Sequence, residues 1–209
     1  MPVYKKMFVF FVALILLTGC KSKKKPSLTG EEPVEVTDFI DFFLPVNLPY
    51  QFSDTGLQKK DKDSLLISYK VFTQFVPDSM LSKVYGKGVK PKIYALGKIE
   101  VPKSEIYLFV KTVTNDKKAF FILSFNNQHQ FITGMAALRP DNNKATFQSV
   151  VMDRKYTITK TVQLKNADGS TNEGKDVYIL NTDSKSFMLI MTDALIDKVT
   201  ELINPIDTL

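Results

Sequence analysis

Few side chains in this chain could bind a metal ion or act as a nucleophile. Its 209 residues include one histidine, His129, and one cysteine, Cys20. Zinc sites take most of their ligands from histidine and cysteine, so a site here would need uncommon carboxylate or water ligands. His129 also lies in the polar segment 126–130, which is typical of a turn. No nucleophile elbow or glycine-rich dinucleotide turn is present either, and we assign no metal ligand, cofactor or catalytic residue.

The most basic stretch after the first 25 residues is 86–92, which contains Lys87, Lys90 and Lys92 together with two glycines. Ammonium groups on a flexible backbone could hold an anion such as a phosphate or a glycan carboxylate. The stretch lacks the spacing and the Lys-Ser/Thr ending of a P-loop. The alternative is a solvated loop that leads into a strand. These three lysines are the candidate ligand-binding residues of the sequence.

Oxygen-bearing side chains recur at alternate positions from Asn166 to Asn172, as they do in calcium-binding loops. The sixth position from Asn166 is Thr171 rather than glycine, and the twelfth is Val177 rather than glutamate. Both departures remove features that an EF-hand needs. The sequence therefore predicts a solvent-exposed hairpin loop at this point.

The first nineteen residues have the layout of an export signal. Lys5 and Lys6 precede an apolar run of eleven residues, Met7–Leu17, and the small residues Thr18 and Gly19 follow it. A helix that spans the hydrocarbon core of a membrane needs about 20 apolar residues, so this run is too short to span. We therefore predict a cleaved signal peptide over residues 1–19.

The end of this signal, Leu17-Thr18-Gly19-Cys20, resembles the lipobox of bacterial lipoproteins. The resemblance implies that Cys20 becomes the N-terminus after cleavage and carries the acyl chains, such as palmitate, that anchor the protein to a membrane. An ordinary secretory signal that happens to contain a cysteine is the alternative. Because Cys20 is the only cysteine, no intramolecular disulfide can form, and the domain must be stabilised by its core.

The residues after Cys20 bear on the compartment and on the partners. Lys21-Ser22-Lys23 resembles neither the aspartate signal that retains lipoproteins at an inner membrane nor the acidic signals for the cell surface, so we expect the periplasmic face of an outer membrane. Six of the 28 basic residues precede Pro26, which leaves 22 against 22 acidic ones beyond it. This neutral balance argues against a nucleic-acid partner, whereas the lysines beside Cys20 would favour anionic lipid headgroups.

Residues 20–36 are predicted to be the lipidated cysteine and a flexible tether, and 37–209 to be a single globular domain. The domain begins with a cluster of aromatic side chains that could form a patch that docks a partner or touches lipid, or one face of the core. Large aromatic residues are usually buried, which favours the core. The cluster comprises Phe39, Phe42, Phe43, Tyr50 and Phe52.

Helical patterns at both ends of the domain and strand patterns between them define the fold class, which is mostly β with a minor helical part. One or two helical turns after Thr37, a helix over Leu65–Val76 and a short helix over Asp78–Tyr85 precede the β-rich region. An amphipathic helix capped by Thr192 or Asp193 ends the chain, with the stripe Leu195, Ile196, Val199, Leu202 and Ile203. Between them the sequence predicts eight strands: Ile93–Val101, Ile106–Thr114, Ala119–Phe125, Phe131–Leu138, Ala145–Met152, Tyr156–Leu164, Val177–Leu180 and Phe187–Met191.

The short breaks between these strands favour an antiparallel meander, either barrel-like or in two packed four-strand units. Three of the strands are apolar on both faces and must be covered on both sides by helices or a second sheet. These are the strands around 106–110, 120–123 and 187–191.

Three functions remain open at this point. The first is a lipid-anchored, non-catalytic envelope protein that binds a protein or cell-wall partner. The second is a carrier of a small apolar ligand or lipid inside a β-barrel, lined by Phe121, Leu123, Phe125, Met135, Met188 and Ile190. The third is an envelope hydrolase that uses a pair of carboxylates, which would face each other across a cleft.

Overall fold

The structure, a computed structural model, describes Leu28, Gly30 and residues 33–140 and 145–193. Within this part of the chain the elements are α1 Val36–Asp41, β1 Tyr50–Ser53, α2 Asp54–Gln58, a 3-10 helix Asp63–Leu65, β2 Leu66–Ile67, α3 Tyr69–Phe75, α4 Ser79–Tyr85, β3 Lys92–Glu100, β4 Glu105–Val113, β5 Lys118–Asn126, β6 Phe131–Leu138, β7 Thr146–Met152, β8 Ile158–Lys165, β9 Thr171–Asn181 and β10 Ser186–Asp193. The signal, Cys20 and the C-terminal helix lie outside the described residues and stay predictions.

The ten strands form two antiparallel sheets of five strands each. The inner sheet has the order β2-β3-β4-β5-β6, and the outer sheet has the order β1-β7-β8-β9-β10. The prediction of a mostly β fold with two packed antiparallel units is therefore confirmed, with five strands in each unit instead of four. The alternative of one barrel-like sheet is wrong, because the described strands form two separate, open sheets that pack against each other.

The inner sheet is apolar on both faces because it is the middle layer of three. Along β4, Leu108 and Val110 face α1, α3 and α4. The residues that alternate with them, Tyr107 and Phe109, face the outer sheet. Strands buried on both faces read as continuous apolar runs, which is the pattern of β4 and β5. The expectation that these two strands are covered on both sides is confirmed, with helices on one side and a sheet on the other.

The expectation of cover on both sides is wrong for β10. Met188, Leu189, Ile190 and Met191 are between 42 and 55 % exposed, and β10 is an edge strand of the outer sheet. No described element covers these side chains. The strand also continues through Thr192 and Asp193, beyond the predicted end at Met191.

Most of the aromatic cluster that opens the domain belongs to the core. Phe39 and Phe43 are buried under α1, with their ring centroids 5.5 Å apart, and half-buried Phe42 packs against the same core. Tyr50 and Phe52 lie on β1 and stack on rings of the inner sheet from the other side. One cluster in sequence therefore supplies both cores, and the interpretation of these rings as core residues is confirmed.

The helices predicted over Leu65–Val76 and Asp78–Tyr85 both form, with adjusted starts, and the predicted turns after Thr37 form as α1. α3 begins only at Tyr69, because Ser68 caps it by accepting a hydrogen bond from the Val71 N–H at 3.2 Å, and residues 66–67 form β2. α4 ends before Gly86, whose φ of 93° favours glycine. These caps explain why the helical stripe read from Leu65 began one turn too early.

Tyr85, at the end of α4, predicts a loss of stability at high pH. Burial raises the pKa of Tyr85 to about 12, and its hydroxyl donates to the Thr112 carbonyl at 3.0 Å. In the unfolded chain a tyrosine has a pKa of about 10. The raised pKa therefore stabilises the folded state fully below pH 10. As the pH rises from 10 toward 12, the free energy of unfolding should fall by roughly 2–3 kcal/mol.

This expectation is measured as the free energy of unfolding in urea between pH 9 and 12. The free energy of unfolding should fall less steeply with pH in Tyr85→Phe than in the wild type, because phenylalanine has no proton to lose. Equal slopes for the two proteins would contradict the assignment, whatever the offset between them at pH 9.

Candidate functional site

A groove between α4, the edge strand β6 and the outer sheet brings together cationic side chains from three separate elements. Lys83 comes from α4, Arg139 directly follows β6, and Lys160 lies on β8. The groove has a volume of about 420 Å³, within the usual range for small-molecule sites of about 300–1,000 Å³. We call it the basic groove, because none of the described residues that line it is acidic.

The fold fixes the position of the groove at two points. Gly134 on β6 lets α4 approach, because a Cβ built there would overlap the Met80 side chain and come within 2.9 Å of Leu123 Cδ2. At the end of β6, the Arg139 carbonyl accepts a hydrogen bond from buried Gln148 on β7 at 3.0 Å. These contacts place α4 against the middle of β6 and tie the end of β6 to β7.

The wall formed by the outer sheet carries the hydroxyl of Tyr178 with a carboxylate, Asp176, beside it. The Tyr178 hydroxyl donates to Asp176 Oδ2 at 3.3 Å, and Asp176 Oδ1 accepts from Thr192 Oγ1 at 2.6 Å. Burial and the neighbouring Asp176 raise the pKa of Tyr178, while the charge of Arg139 lowers it. Asp176 lies opposite Lys160 in the strand register and offsets part of its charge, so Lys83 and Arg139 carry most of the positive field.

The lysines singled out by the sequence do not converge on this groove. Lys87 and Lys90 are exposed on the connection from α4 to β3, and Lys92 is exposed at the first position of β3. Lys90 Nζ lies 5.7 Å from the centre of the Tyr69 ring, a cation–π arrangement on the surface. This placement favours the alternative of a solvated loop, although anion binding by these lysines stays an untested prediction.

Two carboxylates do share a concave surface, but a lysine lies between them. Lys98 Nζ is 3.0 Å from Asp41 Oδ1 and 2.6 Å from Glu100 Oε1, in a groove that also contains Tyr156. Burial lowers the pKa of Lys98, but the hydrogen bonds to Glu100 and Asp41 outweigh burial and raise it above its usual value. The side chains of Asp41 and Glu100 are 71 and 59 % exposed. A general acid needs surroundings that favour its protonated form, and this ion triad does not provide them.

A second buried lysine holds α2 against the inner sheet. Lys111 on β4 is 1 % exposed, and its ammonium donates to the carbonyls of Gly56 and Lys59 at 3.1 and 2.6 Å. Asp61 Oδ2 accepts at 2.7 Å and completes an ion pair. All three protons of the ammonium are used, so this group fixes the chain and is not available as a nucleophile.

The groove beside this lysine is larger, about 830 Å³, and also contains basic residues. These are Lys59, Lys60 and Lys62, which lie on a single exposed segment. Asp61, whose carboxylate pairs with Lys111, lies between Lys60 and Lys62. A charge run of this kind is typical of a solvated surface. The basic groove differs because its cations come from elements that are far apart in the chain.

The remaining sequence candidates have structural roles. His129 has a φ of 62° in the turn between β5 and β6, and its N–H donates to the Asn126 carbonyl. In the β8–β9 turn, Asp168 Oδ1 accepts from both the N–H and the hydroxyl of Ser170, so the predicted hairpin loop is confirmed. Among the described residues, no group of three or more His, Cys, Asp or Glu side chains could hold a metal ion.

The residues proposed to line a carrier cavity do not face one space. Phe121, Leu123 and Phe125 are buried against the helices, whereas Met188 and Ile190 are exposed on β10. That part of the carrier hypothesis is wrong. Phe121 and Met135 do, however, line the basic groove.

Comparison of the chain with protein-family models, curated proteins and solved structures found no match. In the part of the chain that the structure describes, no helix has the length and apolar character needed to cross a membrane. A functional proposal therefore depends on the residues and on the geometry of the grooves.

Proposed function

We propose that this protein is a lipid-anchored, non-catalytic component of the cell envelope that binds an anionic envelope component in the basic groove. The anchor is Cys20, and the expected location is the periplasmic face of an outer membrane. The observation that carries the proposal is the convergence of Lys83 and Arg139, with Lys160 beyond them, on one concave space. The hydrolase alternative has less support, because Lys98 separates the one carboxylate pair described above.

The physical basis of binding is charge assistance. Hydrogen bonds from guanidinium or ammonium groups to a carboxylate or phosphate contribute about 1.5–3 kcal/mol each, more than those between neutral groups. The domain is neutral overall, so this local concentration of charge, and not a general attraction, would select the ligand.

The anchor is tested by fractionation of cells that express the wild type or Cys20→Ser. The wild type should incorporate labelled palmitate and sediment with the membranes, whereas Cys20→Ser should incorporate none. Labelled Cys20→Ser protein would contradict lipidation at this residue.

The groove is tested with the mature Cys20→Ser chain and inorganic phosphate, by the changes in backbone amide NMR signals. We expect changes at Lys83, Arg139 and Lys160, and an affinity about tenfold lower in Arg139→Gln. The matched control replaces Lys87, Lys90 and Lys92 with glutamine and should leave the affinity unchanged. Changes confined to residues 86–92, or no binding at all, would overturn the assignment of the groove.

A further inference from the structure

Part of the lining of the basic groove is apolar, which an inorganic anion does not require. Met80 and Val84 from α4, Met135 and Ala136 from β6, and Phe187 from β10 lie around the same space as the cations. A small anion bound there would lose part of its hydration to hydrocarbon that offers no hydrogen bond. A ligand with an apolar part would instead remove this surface from water and contribute binding free energy.

Cationic and apolar side chains are close neighbours on both α4 and β6. Lys83 lies one helical turn beyond Met80 on α4, and Arg139 follows the last residue of β6, whereas Met135 lies near the middle of that strand. Each of these two elements therefore brings both a cation and apolar side chains to the groove. A molecule with one anionic group and one hydrocarbon segment would use both kinds of contact.

Two methionines make the apolar part adaptable. Met80 and Met135 are both half-buried, and unbranched thioether side chains fit ligands of different shape with little strain. The absence of a Cβ at Gly134 leaves the space that the end of the Met80 side chain occupies. Movement of that side chain would lengthen the apolar part of the groove without moving the backbone.

We propose that the basic groove binds an anionic amphiphile, with its carboxylate or phosphate at Lys83, Arg139 and Lys160 and its hydrocarbon chain against Met80, Met135 and Phe187. This inference rests on the proposed function, because it names the ligand class of the same site. The shared chemistry is an acidic head with an acyl or alkyl chain. Both free fatty acids and anionic phospholipids have this chemistry, and a membrane anchor would bring the domain close to them.

The test uses the mature Cys20→Ser chain and isothermal titration calorimetry below the critical micelle concentration of each probe. The probes are dodecyl phosphate, dodecanoate, dodecanol and inorganic phosphate. Dodecyl phosphate should bind roughly thirtyfold or more tightly than phosphate, which is the effect of a few methylene groups leaving water. Dodecanol, with the same chain and no charge, should bind at least tenfold more weakly than dodecyl phosphate.

Two sets of variants assign the two ends of the ligand. Met80→Gln and Met135→Gln keep the side-chain length. They should weaken the binding of dodecyl phosphate several-fold and leave the affinity for inorganic phosphate unchanged. Arg139→Gln should weaken the binding of both probes. Circular dichroism and thermal unfolding identify any variant that does not fold, and the use of two independent methionine positions keeps the test decisive if one of them fails.

Vesicles distinguish the source of the amphiphile. Vesicles of phosphatidylglycerol and of phosphatidylcholine are incubated with the unlipidated chain and sedimented. Binding to phosphatidylglycerol that Arg139→Gln and Met135→Gln abolish identifies a bilayer lipid, whereas binding of dodecanoate without vesicle binding identifies a free fatty acid. Either result supports the inference.

The possible failures are distinguishable. If phosphate binds as tightly as dodecyl phosphate, the amphiphile inference is overturned and the proposed function stands. If dodecanol binds as tightly as dodecyl phosphate, the role of the cations is overturned. If none of the probes binds, both the inference and the assignment of the groove in the proposed function fail.

Discussion

Replacement of Lys111 with methionine should destabilise the protein by about 3–5 kcal/mol. The ammonium of Lys111 is the common partner of Asp61 and of the carbonyls of Gly56 and Lys59. Methionine fills the same volume but donates no hydrogen bond, so a mostly buried carboxylate and two carbonyls would lose their partner. The loss should be visible as a lower free energy of unfolding in urea, with an unchanged denaturant dependence.

Lys118→Met is the matched control for this experiment. Lys118, on the neighbouring strand β5, also reaches α2 and donates to Gln58 Oε1 at 2.7 Å, but this hydrogen bond is exposed to solvent. Its loss should cost less than about 1 kcal/mol. The double variant Lys111→Met with Asp61→Asn should lose less stability than the two single variants together, because the second change removes the unpaired charge. Equal effects of Lys111→Met and Lys118→Met would refute the buried ion pair.

The second large effect is expected for Phe39→Ala, at about 3–5 kcal/mol. Phe39 is fully buried, and its ring centroid lies 4.9 Å from that of Phe75 and 6.2 Å from those of Phe72 and Phe125. It therefore connects α1 to both α3 and the inner sheet. Truncation to alanine removes these contacts and leaves a cavity that three rigid rings cannot easily fill.

Leu44→Ala, a few residues further on, provides the comparison for Phe39→Ala. Leu44 is 51 % exposed, and its truncation should cost less than about 1 kcal/mol. Thermal unfolding followed by near-ultraviolet circular dichroism distinguishes the two, since Phe39→Ala should also change the signal of the aromatic core. A loss for Leu44→Ala as large as that for Phe39→Ala would contradict the assignment of Phe39 to the core.

The sequence predicted the inner sheet well because its signals are local. β4 and β5 are long apolar runs between short polar turns, and both features can be read within ten residues. β1 was missed for the opposite reason. It has only four residues, and its partner is β7, with Tyr50 opposite Met152. Pairing over such a separation leaves no periodic pattern in a short strand.

Strand β9 shows a different kind of error. It was predicted from Val177, where the apolar residues begin, but it starts at Thr171. The residues in between are polar because they lie toward the exposed end of the hairpin with β8, where Glu173 pairs with Gln163. Backbone pairing extended the strand where hydrophobicity gave no indication of it.

The candidate site could not be read from the sequence at all. Lys83, Arg139 and Lys160 each lie in an unremarkable local context, and only the packing of α4 and the outer sheet around β6 brings them together. The sequence instead favoured Lys87, Lys90 and Lys92, because these are neighbours in the chain. Proximity in sequence identified a loop, whereas the groove depends on tertiary structure.

The irregular pairing of β10 bears on the solubility of the protein. A long, apolar edge strand is a template on which other chains can add strands and form aggregates. In β10 the pairing with β9 shifts between Leu189 and Met191, so that Ile190 has no partner in the register. Such a bulge twists the edge and interrupts the regular spacing that an added strand would need. The described part of the domain can therefore expose four consecutive apolar residues and still oppose the edge-to-edge pairing that leads to fibrils.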